Sequence, residues 1–400
     1  MKKILFLAIS VFYSIEYLLL KMTPFRKEKS ILIVRPDAIG DFIIWLDSAK
    51  EYKKHFPNQH LVLLCNVVCK DIAEGLPYFD EIITIDPNKF FKNLIYRLQT
   101  LITLKKRRFV QIINPVYSRD FFVHDTLIHH LRAEKKIGYS GDYQNTKIKL
   151  LGFGITGDKY AGLLESKANK WYSILINASP QPLMELNRNA AFIRHYLDMS
   201  FRSQLPSIPY PIPDSLQKPE KDYIVIFIGA ATLRRVWNVA NYEAVIKSVN
   251  PLYEIVLCGG KNDEPLYDEL KKIDTAGRSV TNLVGKTTLI ELFSIIKNAK
   301  YIISNETSAS HITVAVRTPS VCIMAGAHYG RFQPYQVESL KEDEKKYLPK
   351  VANYDMDCYC CNHICKYITD KKTTYPCVAK ISPQQVIEKI MEIENEYLHL

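Results

Sequence analysis

The sequence predicts an α/β protein built from two doubly wound, parallel-sheet domains, and three features carry that expectation. Apolar runs of strand length alternate with segments of helical periodicity, the pattern of a parallel sheet covered by helices. The rhythm breaks once, at Pro206, Pro209, Pro211, Pro213 and Pro219, and then restarts. Four hundred residues also exceed one ordinary core and suit two domains of roughly 150 to 200 residues each.

Ile31-Leu32-Ile33-Val34 is long enough for a buried strand, Arg35 to Asp41 forms the turn after it, and 42–54 has helical periodicity. Two further strands are expected at His60–Cys65 and Glu81–Ile85, and one helix over Phe90–Leu104 with a basic end from Lys105 to Arg108. Val110–Ile113 reads as a strand ending at Asn114-Pro115. The prolines give 206–220 the composition of a linker. Beyond it, strands are expected at Tyr223–Ile228, Glu254–Leu257, Tyr301–Ile303 and Ser320–Met324, and helices at Asn241–Ser248 and Thr288–Lys297. A last helix starts at Ser382-Pro383 and runs to about Tyr397. The expected organisation is a 1–29 apolar and basic segment, domains over 30–205 and 221–380 joined by 206–220, and a C-terminal helix over 381–400. Two such halves place a ligand between them, beyond the C-terminal ends of their strands.

With 47% hydrophobic and 24% charged residues the composition is globular. Lys plus Arg exceed Asp plus Glu by 53 − 42 = 11, an excess that suits nucleic acid, an anionic membrane surface or phosphorylated small molecules. The chain has no RNA-binding signature, zinc finger or Arg-rich arm, so nucleic acid is not the expected partner. Ile4 to Leu20 is mostly apolar but contains Glu16, with Lys2 and Lys3 before it and Lys21, Arg26, Lys27 and Lys29 after it. It lacks the small-residue cleavage site of a signal peptide, and a central carboxylate suits a spanning helix poorly. Two readings remain, a helix lying on the membrane with cationic flanks facing anionic lipid, or a helix packed on the protein's own surface. Peripheral membrane contact is the expectation.

Nine cysteines in a chain of this length do not make a disulfide scaffold. Cys65, Cys69, Cys258 and Cys322 lie in or beside apolar segments and read as small core residues. Cys358, Cys360, Cys361, Cys365 and Cys377 cluster with His363, but their spacing is not that of paired C-x2-C zinc sites. Local packing or redox-sensitive thiols are expected there, and no metal or cofactor.

The residues that could carry chemistry sit at strand-to-helix turns. Asp41 follows Gly40 where the positive end of a helix dipole keeps a carboxylate ionised, suited either to accepting a proton or to capping the helix. Asp37 competes for both roles. After the first strand of the second half, Gly229 opens a turn that carries Arg234 and Arg235, able to hold a diphosphate through paired hydrogen bonds or simply to form a solvated basic loop. In the third turn Thr307, Ser308 and Ser310 bring hydroxyls and free N–H groups to a helix N-terminus, which favours phosphate. His311 could donate to a phosphate oxygen or cap the turn. Glu306 could accept from a sugar hydroxyl or cap N–H groups.

These pieces resemble glycosyltransferase family 9, the heptosyltransferases of lipopolysaccharide core assembly. The matching residues are Ile31 to Phe42 with its Gly40-Asp41 turn, Gly229 with Arg235-Val236-Trp237, and Asn305 to His311 with Ala315 and Thr318-Pro319. The tail with Cys358, Cys361 and Pro376-Cys377 completes the set. The resemblance implies a GT-B fold, two Rossmann-like domains facing a central cleft, and inverting, metal-independent transfer from a nucleotide-activated sugar. By that likeness Asp41 matches the general base, Arg235 the basic residue that stabilises the leaving diphosphate, and Thr307, Ser308 and His311 the nucleotide-phosphate loop. Glu306-Thr307-Ser308 stands where the family often has Asp-Thr-Gly, and Arg235 where Lys is frequent.

The expected protein is therefore a membrane-associated glycosyltransferase of bacterial surface-glycan assembly, on the cytoplasmic side of the inner membrane. Its donor, a nucleotide-diphosphate sugar such as ADP-heptose, would bind the second domain through Gly229, Arg234, Arg235, Glu306, Thr307, Ser308 and His311. A glycolipid acceptor would bind the first, with Arg35, Asp37 and Gly40 on the acceptor side. The rivals are a nucleotide-sugar epimerase or hydrolase, which would turn over donor without acceptor, and a non-catalytic sugar-nucleotide-binding scaffold protein.

Overall fold

The computed structural model describes residues 2–143, 147–150, 153–156, 161–179, 181–368, 370 and 372–398. The chain divides into two compact units, the first comprising 1–38, 48–181 and 188–201 and the second 39–47, 182–187 and 202–400.

Unit 1 is organised on a parallel sheet of β1 (Ser30–Arg35), β2 (His60–Asn66), β3 (Glu81–Ile85), β4 (Arg107–Asn114), β5 (Arg132–Ser140) and β6 (Ile174–Asn177) in the spatial order β3-β2-β1-β4-β5-β6. β1 is buried along its whole length, with Ile33 beside Leu63 on one side and Ile113 on the other. That double burial is why its sequence is a continuous apolar run. The order reverses between β1 and β4, and their C-terminal ends leave the crevice where doubly wound sheets bind ligands. A two-residue strand, Arg26–Lys27, joins the start of β4, and an antiparallel hairpin, Lys147–Leu150 with Phe153–Thr156, lies off the sheet.

Unit 2 repeats the plan with β7 (Tyr223–Phe227), β8 (Glu254–Cys258), β9 (Val280–Asn282), β10 (Ile302–Asn305), β11 (Ser320–Ile323) and β12 (Lys350–Ala352), ordered β9-β8-β7-β10-β11-β12 and again wholly parallel. Here the order reverses between β7 and β10. The Pro-rich stretch forms neither helix nor strand, but it is not a loose tether. Leu205 is buried, the Pro206 carbonyl accepts from Arg317, and Ser215 N donates to Ser294 Oγ at 2.8 Å.

Several boundaries differ from expectation for local reasons. The helix expected over 90–104 is two, Pro87–Lys92 and Leu94–Lys105, because the Asn93 side chain leaves the first to cap the second at Tyr96 N. Arg107 and Arg108 belong to β4 and not to a helix tail; Arg107 reaches Glu28 and both carboxylate oxygens of Glu81 at 2.7–2.8 Å. Helix α2 begins at Ile39 and runs to His55, so Gly40 and Asp41 lie in its first turn.

Helix α1 spans Lys2–Lys21 and buries Ile9, Tyr13, Glu16 and Leu20, a 4-3-4 spacing that forms one face. Glu16, the residue that suits a spanning helix poorly, is an internal anchor. It accepts from Arg97 Nε at 2.5 Å and Nη2 at 2.8 Å, and lies 2.8 Å from His130 Nε2. Burial pushes its carboxyl up, but Arg97 and His130 outweigh that and hold it at about 2. The opposite face, with Val11, Phe12, Ile15, Leu18, Leu19 and Met22, is exposed. No helix among the described residues is long and apolar enough to cross a membrane.

Removing one partner of a buried ion pair leaves the other charge uncompensated, so Glu16→Ala should destabilise unit 1 by about 3–5 kcal/mol. The check is the urea midpoint together with faster proteolysis of α1. Because the folded-state pKa is depressed, this stabilisation should be complete above the ordinary carboxylate range and vanish as pH falls through about 2.

Candidate functional site

The site is built in unit 2 where the sheet order reverses. Parallel strands that diverge there leave backbone groups of the β7 and β10 turns without ladder partners. Asn305, wholly buried at the end of β10, satisfies them. Its Nδ2 donates to the carbonyls of Ile228 at 2.9 Å and Gly229 at 3.3 Å, and its Oδ1 accepts from Trp237 N at 3.0 Å. One amide therefore ties the β10 turn to both ends of the β7 turn. Trp237 is locked further by Nε1, which donates to Ile381 O at 2.9 Å, and by an edge-on contact with Tyr242.

Between those fixed points runs the turn with Arg234 and Arg235. Arg235 Nη2 donates to the Glu306 carbonyl, and the guanidinium lies 3.6 Å from the Glu306 carboxyl group. Arg234 goes elsewhere: its Nη2 donates to Ile368 O and its guanidinium lies over the Tyr375 ring. Gly229 has no room for a side chain, since a Cβ there would fall 1.9 Å from Asp263 Oδ2. That carboxylate is in turn fixed by Gly260 N at 2.7 Å.

Helix α4 (Ser308–Val316) starts directly after this turn, taking α3 as Leu94–Lys105. Thr307 is its N-cap and accepts from Ala309 N, while Ser310 Oγ turns back onto Thr307 O. The first turn of α2 lies against it. A Cβ on Gly40 would sit 3.1 Å from His311 Cδ2 and 3.7 Å from Ser308 Cα. Glycine at 40 thus lets two helix N-termini approach, and their dipoles sum to a positive potential. Asp41 follows in that same turn, half-buried.

Burial changes the charges here. His311, with Nδ1 2.9 Å from the Tyr335 hydroxyl, is pulled down to about 3 by burial and then by Arg235. It is therefore a neutral hydrogen-bonding ring at ordinary pH and adds no positive charge. Burial pushes the Glu306 carboxyl up to about 7 against the opposing pull of Arg235. What remains is a helix N-terminus beside one fixed guanidinium, suited to an anionic group that gains charge during a reaction.

The structure thus brings together Gly40, Asp41, Gly229, Arg235, Glu306, Thr307, Ser308 and His311 in unit 2. Arg35 and Asp37 lie in unit 1, at the end of β1, paired at 2.8 Å. Asn189 Oδ1 approaches Arg35 Nη1 at 3.4 Å, and His124 Nε2 approaches Asp37 at 3.4 Å. Behind them the buried Asp125 accepts from the hydroxyls of Tyr143 at 2.5 Å and Tyr172 at 2.6 Å. Asp263 and Tyr335 escape a reading of the sequence, and Asn305 enters it as part of a motif without its bracing role. Asn305 had a signal, a polar residue closing an apolar strand; Tyr335 lies 24 residues from its partner and had none.

All nine cysteines are free thiols. Cys65, Cys69, Cys258 and Cys322 are buried, and Cys358, Cys361, Cys365 and Cys377 line a small cavity with Met356 and Tyr375. Among the described residues no group of three or more His, Cys, Asp or Glu side chains is arranged to hold a metal ion.

Residues 156–350 match the family model of glycosyltransferase family 9 (heptosyltransferase). The chain is 24% identical to lipooligosaccharide heptosyltransferase 2 of Campylobacter jejuni, over 91% of this chain and 99% of that protein. It is 25% identical to lipopolysaccharide heptosyltransferase 3 of Escherichia coli over 34% of this chain and 40% of that protein. Among solved structures, E. coli ADP-heptose LPS heptosyltransferase II aligns with a TM-score of 0.59 at 16% identity, over 91% of this chain and 98% of that one. The glycosyl transferase family 9 protein of Veillonella parvula aligns with a TM-score of 0.62 at 14% identity, over 94% and 98%. The two parallel sheets are those of the GT-B fold.

Asn305→Ala would strip partners from buried backbone groups of two turns and should destabilise unit 2 by about 2–4 kcal/mol, at about 1–3 kcal/mol per orphaned group. Chemical unfolding measures the loss, and slowed exchange at Trp237 N–H in the parent that disappears in the variant locates it.

Proposed function

We propose that the chain is a heptosyltransferase-like glycosyltransferase of family 9, and that it transfers a heptose from ADP-heptose to a lipopolysaccharide or lipooligosaccharide core, or to a related glycolipid, with inversion and without a metal ion. The observation that carries this reading is Arg235, its guanidinium held at the Glu306 carbonyl beside the N-terminus of α4.

The donor diphosphate would lie on the N–H groups of α4, with Arg235 facing it. Asp41 would accept the proton of the acceptor hydroxyl as its oxygen attacks the anomeric carbon from the side opposite the phosphate. The carbon–oxygen bond to phosphate breaks, its electron pair leaves with the nucleoside diphosphate, and the new charge falls where dipoles and guanidinium already point. No step in this scheme needs a metal ion. Arg35 and Asp37, at the switch point of the unit 1 sheet, are the proposed acceptor-side groups. The donor is inferred from the heptosyltransferase relatives. The exposed apolar face of α1 supports peripheral contact with the cytoplasmic face of the inner membrane.

Asp41→Asn should abolish transfer while leaving donor affinity within about twofold, because the amide keeps the shape and loses the proton acceptor. Single-turnover assays beside calorimetry decide this; retained turnover or lost binding removes Asp41 as the base. Donor affinity should also fall as pH rises through about 7, since the Glu306 carboxyl must stay protonated beside a diphosphate. A nucleotide-diphosphate sugar does not itself titrate there, so Glu306→Gln should flatten that profile.

A further inference from the structure

Unit 1 contains a cavity of about 310 Å³ at the C-terminal end of α1 that plays no part in the chemistry above. Tyr17, Lys21, Lys105, Arg108, Arg132 and Lys136 line it, together with neutral groups. Five cations therefore converge on one space, and none has a carboxylate within 4.0 Å among the described residues. Glu16, which precedes Tyr17 on α1, is taken up by Arg97 and His130. Arg132 is committed to structure, donating to the carbonyls of Lys21, Thr23 and Lys105 where α1 and α3 end. Among the described residues Lys136 Nζ donates to the Ile128 carbonyl alone, at 2.5 Å. Lys105 is 2% exposed, and among the described residues its ammonium meets the Tyr17 ring, at 5.0 Å.

Burying like charges together is costly without a counter-ion. The strain shows in the titration: burial and then Lys105 pull Lys136 down to about 8, and burial and then Arg132 lower Lys105. His129, also at the cavity, is held neutral by burial, at about 3. An anion entering the cavity would relieve this repulsion. The rim identifies its source. Tyr17 and Phe25 line the cavity and are themselves exposed, and they continue into the apolar face formed by Val11, Ile15, Leu18, Leu19 and Met22. A soluble phosphate would need no apolar apron, whereas a lipid headgroup comes with one.

We propose that this cavity receives the phosphate of an anionic membrane phospholipid while the exposed face of α1 lies in the bilayer interface. The inference rests on the membrane-contact part of the function proposed above and supplies its lipid selectivity. Neither α1 nor the cavity belongs to the candidate transfer site, so the lipid site and sugar transfer are separable.

The test is sedimentation of the full chain with phosphatidylcholine vesicles, with or without phosphatidylglycerol, in parallel with a Lys105→Gln/Lys136→Gln variant and a Leu18→Ser/Leu19→Ser variant. The parent should prefer anionic vesicles, and the lysine variant should lose roughly tenfold of that preference, two cations being removed from the cavity that would hold the headgroup phosphate. The leucine variant should bind both vesicle types more weakly. Thermal unfolding confirms that each variant is folded, since replacing crowded lysines removes repulsion. Equal binding of parent and lysine variant to anionic vesicles would overturn the headgroup site and leave membrane contact intact. Failure of the parent to bind either vesicle would overturn both. Thermal stabilisation by inorganic phosphate that depends on Lys105 and Lys136, without vesicle binding, would replace the lipid by a soluble anion.

Discussion

The chemistry proposed for this chain depends on one buried carboxamide. Asn305 closes β10 and makes its three hydrogen bonds to the turn that follows β7. No other side chain of similar length has both two donors and an acceptor to meet two carbonyls and one N–H. Once it is in place, the path from Gly229 to Trp237 is fixed, and Arg235 has one direction left to point. Gly229 follows from the same constraint, because the closed turn leaves no volume beside Asp263. The two turns are distant in sequence and form one rigid wall.

That wall handles charge economically. The chain carries a net charge of +11, yet among the described residues one guanidinium, that of Arg235, pairs with the Glu306 turn. Helix N-termini supply the rest of the positive potential, and they need no counter-ions when empty. His311 stays neutral and Glu306 titrates near neutrality, so the resting site carries little uncompensated charge, which suits the diphosphate proposed for it. Much of the spare charge is in unit 1, around Lys105 and Lys136, where it serves a different surface.

The fold class, the alternation of strands and helices and the positions of the turns at 40, 229 and 305 were legible in the sequence. Each rests on local pattern, and continuous apolar runs mark doubly buried strands. The break at Asn93 was less clear, because apolar residues continue through it and only the cap divides the helix. Glu16 was legible as an oddity, but its meaning was not: Arg97 and His130 meet it only after β4 and its neighbours fold. Arg234 and Arg235 look equivalent in the chain, and only tertiary packing sends one to Tyr375 and the other to Glu306. Tyr335 and Asp263 act through space and leave no mark at the positions they serve.

The two-sided character of α1 bears on how the protein can be handled and made. An exposed row of Val11, Ile15, Leu18, Leu19 and Met22 invites deletion by anyone seeking a better-behaved sample. The other side of the same helix carries Glu16, the acid that pairs with Arg97 and His130. Cutting the helix away would trade surface greasiness for an unneutralised interior. The same holds during synthesis. Glu16 is synthesised well before Arg97 and His130, so for a time the helix carries that carboxylate without its partners. A bilayer surface or a holding chaperone is the natural shelter in that interval.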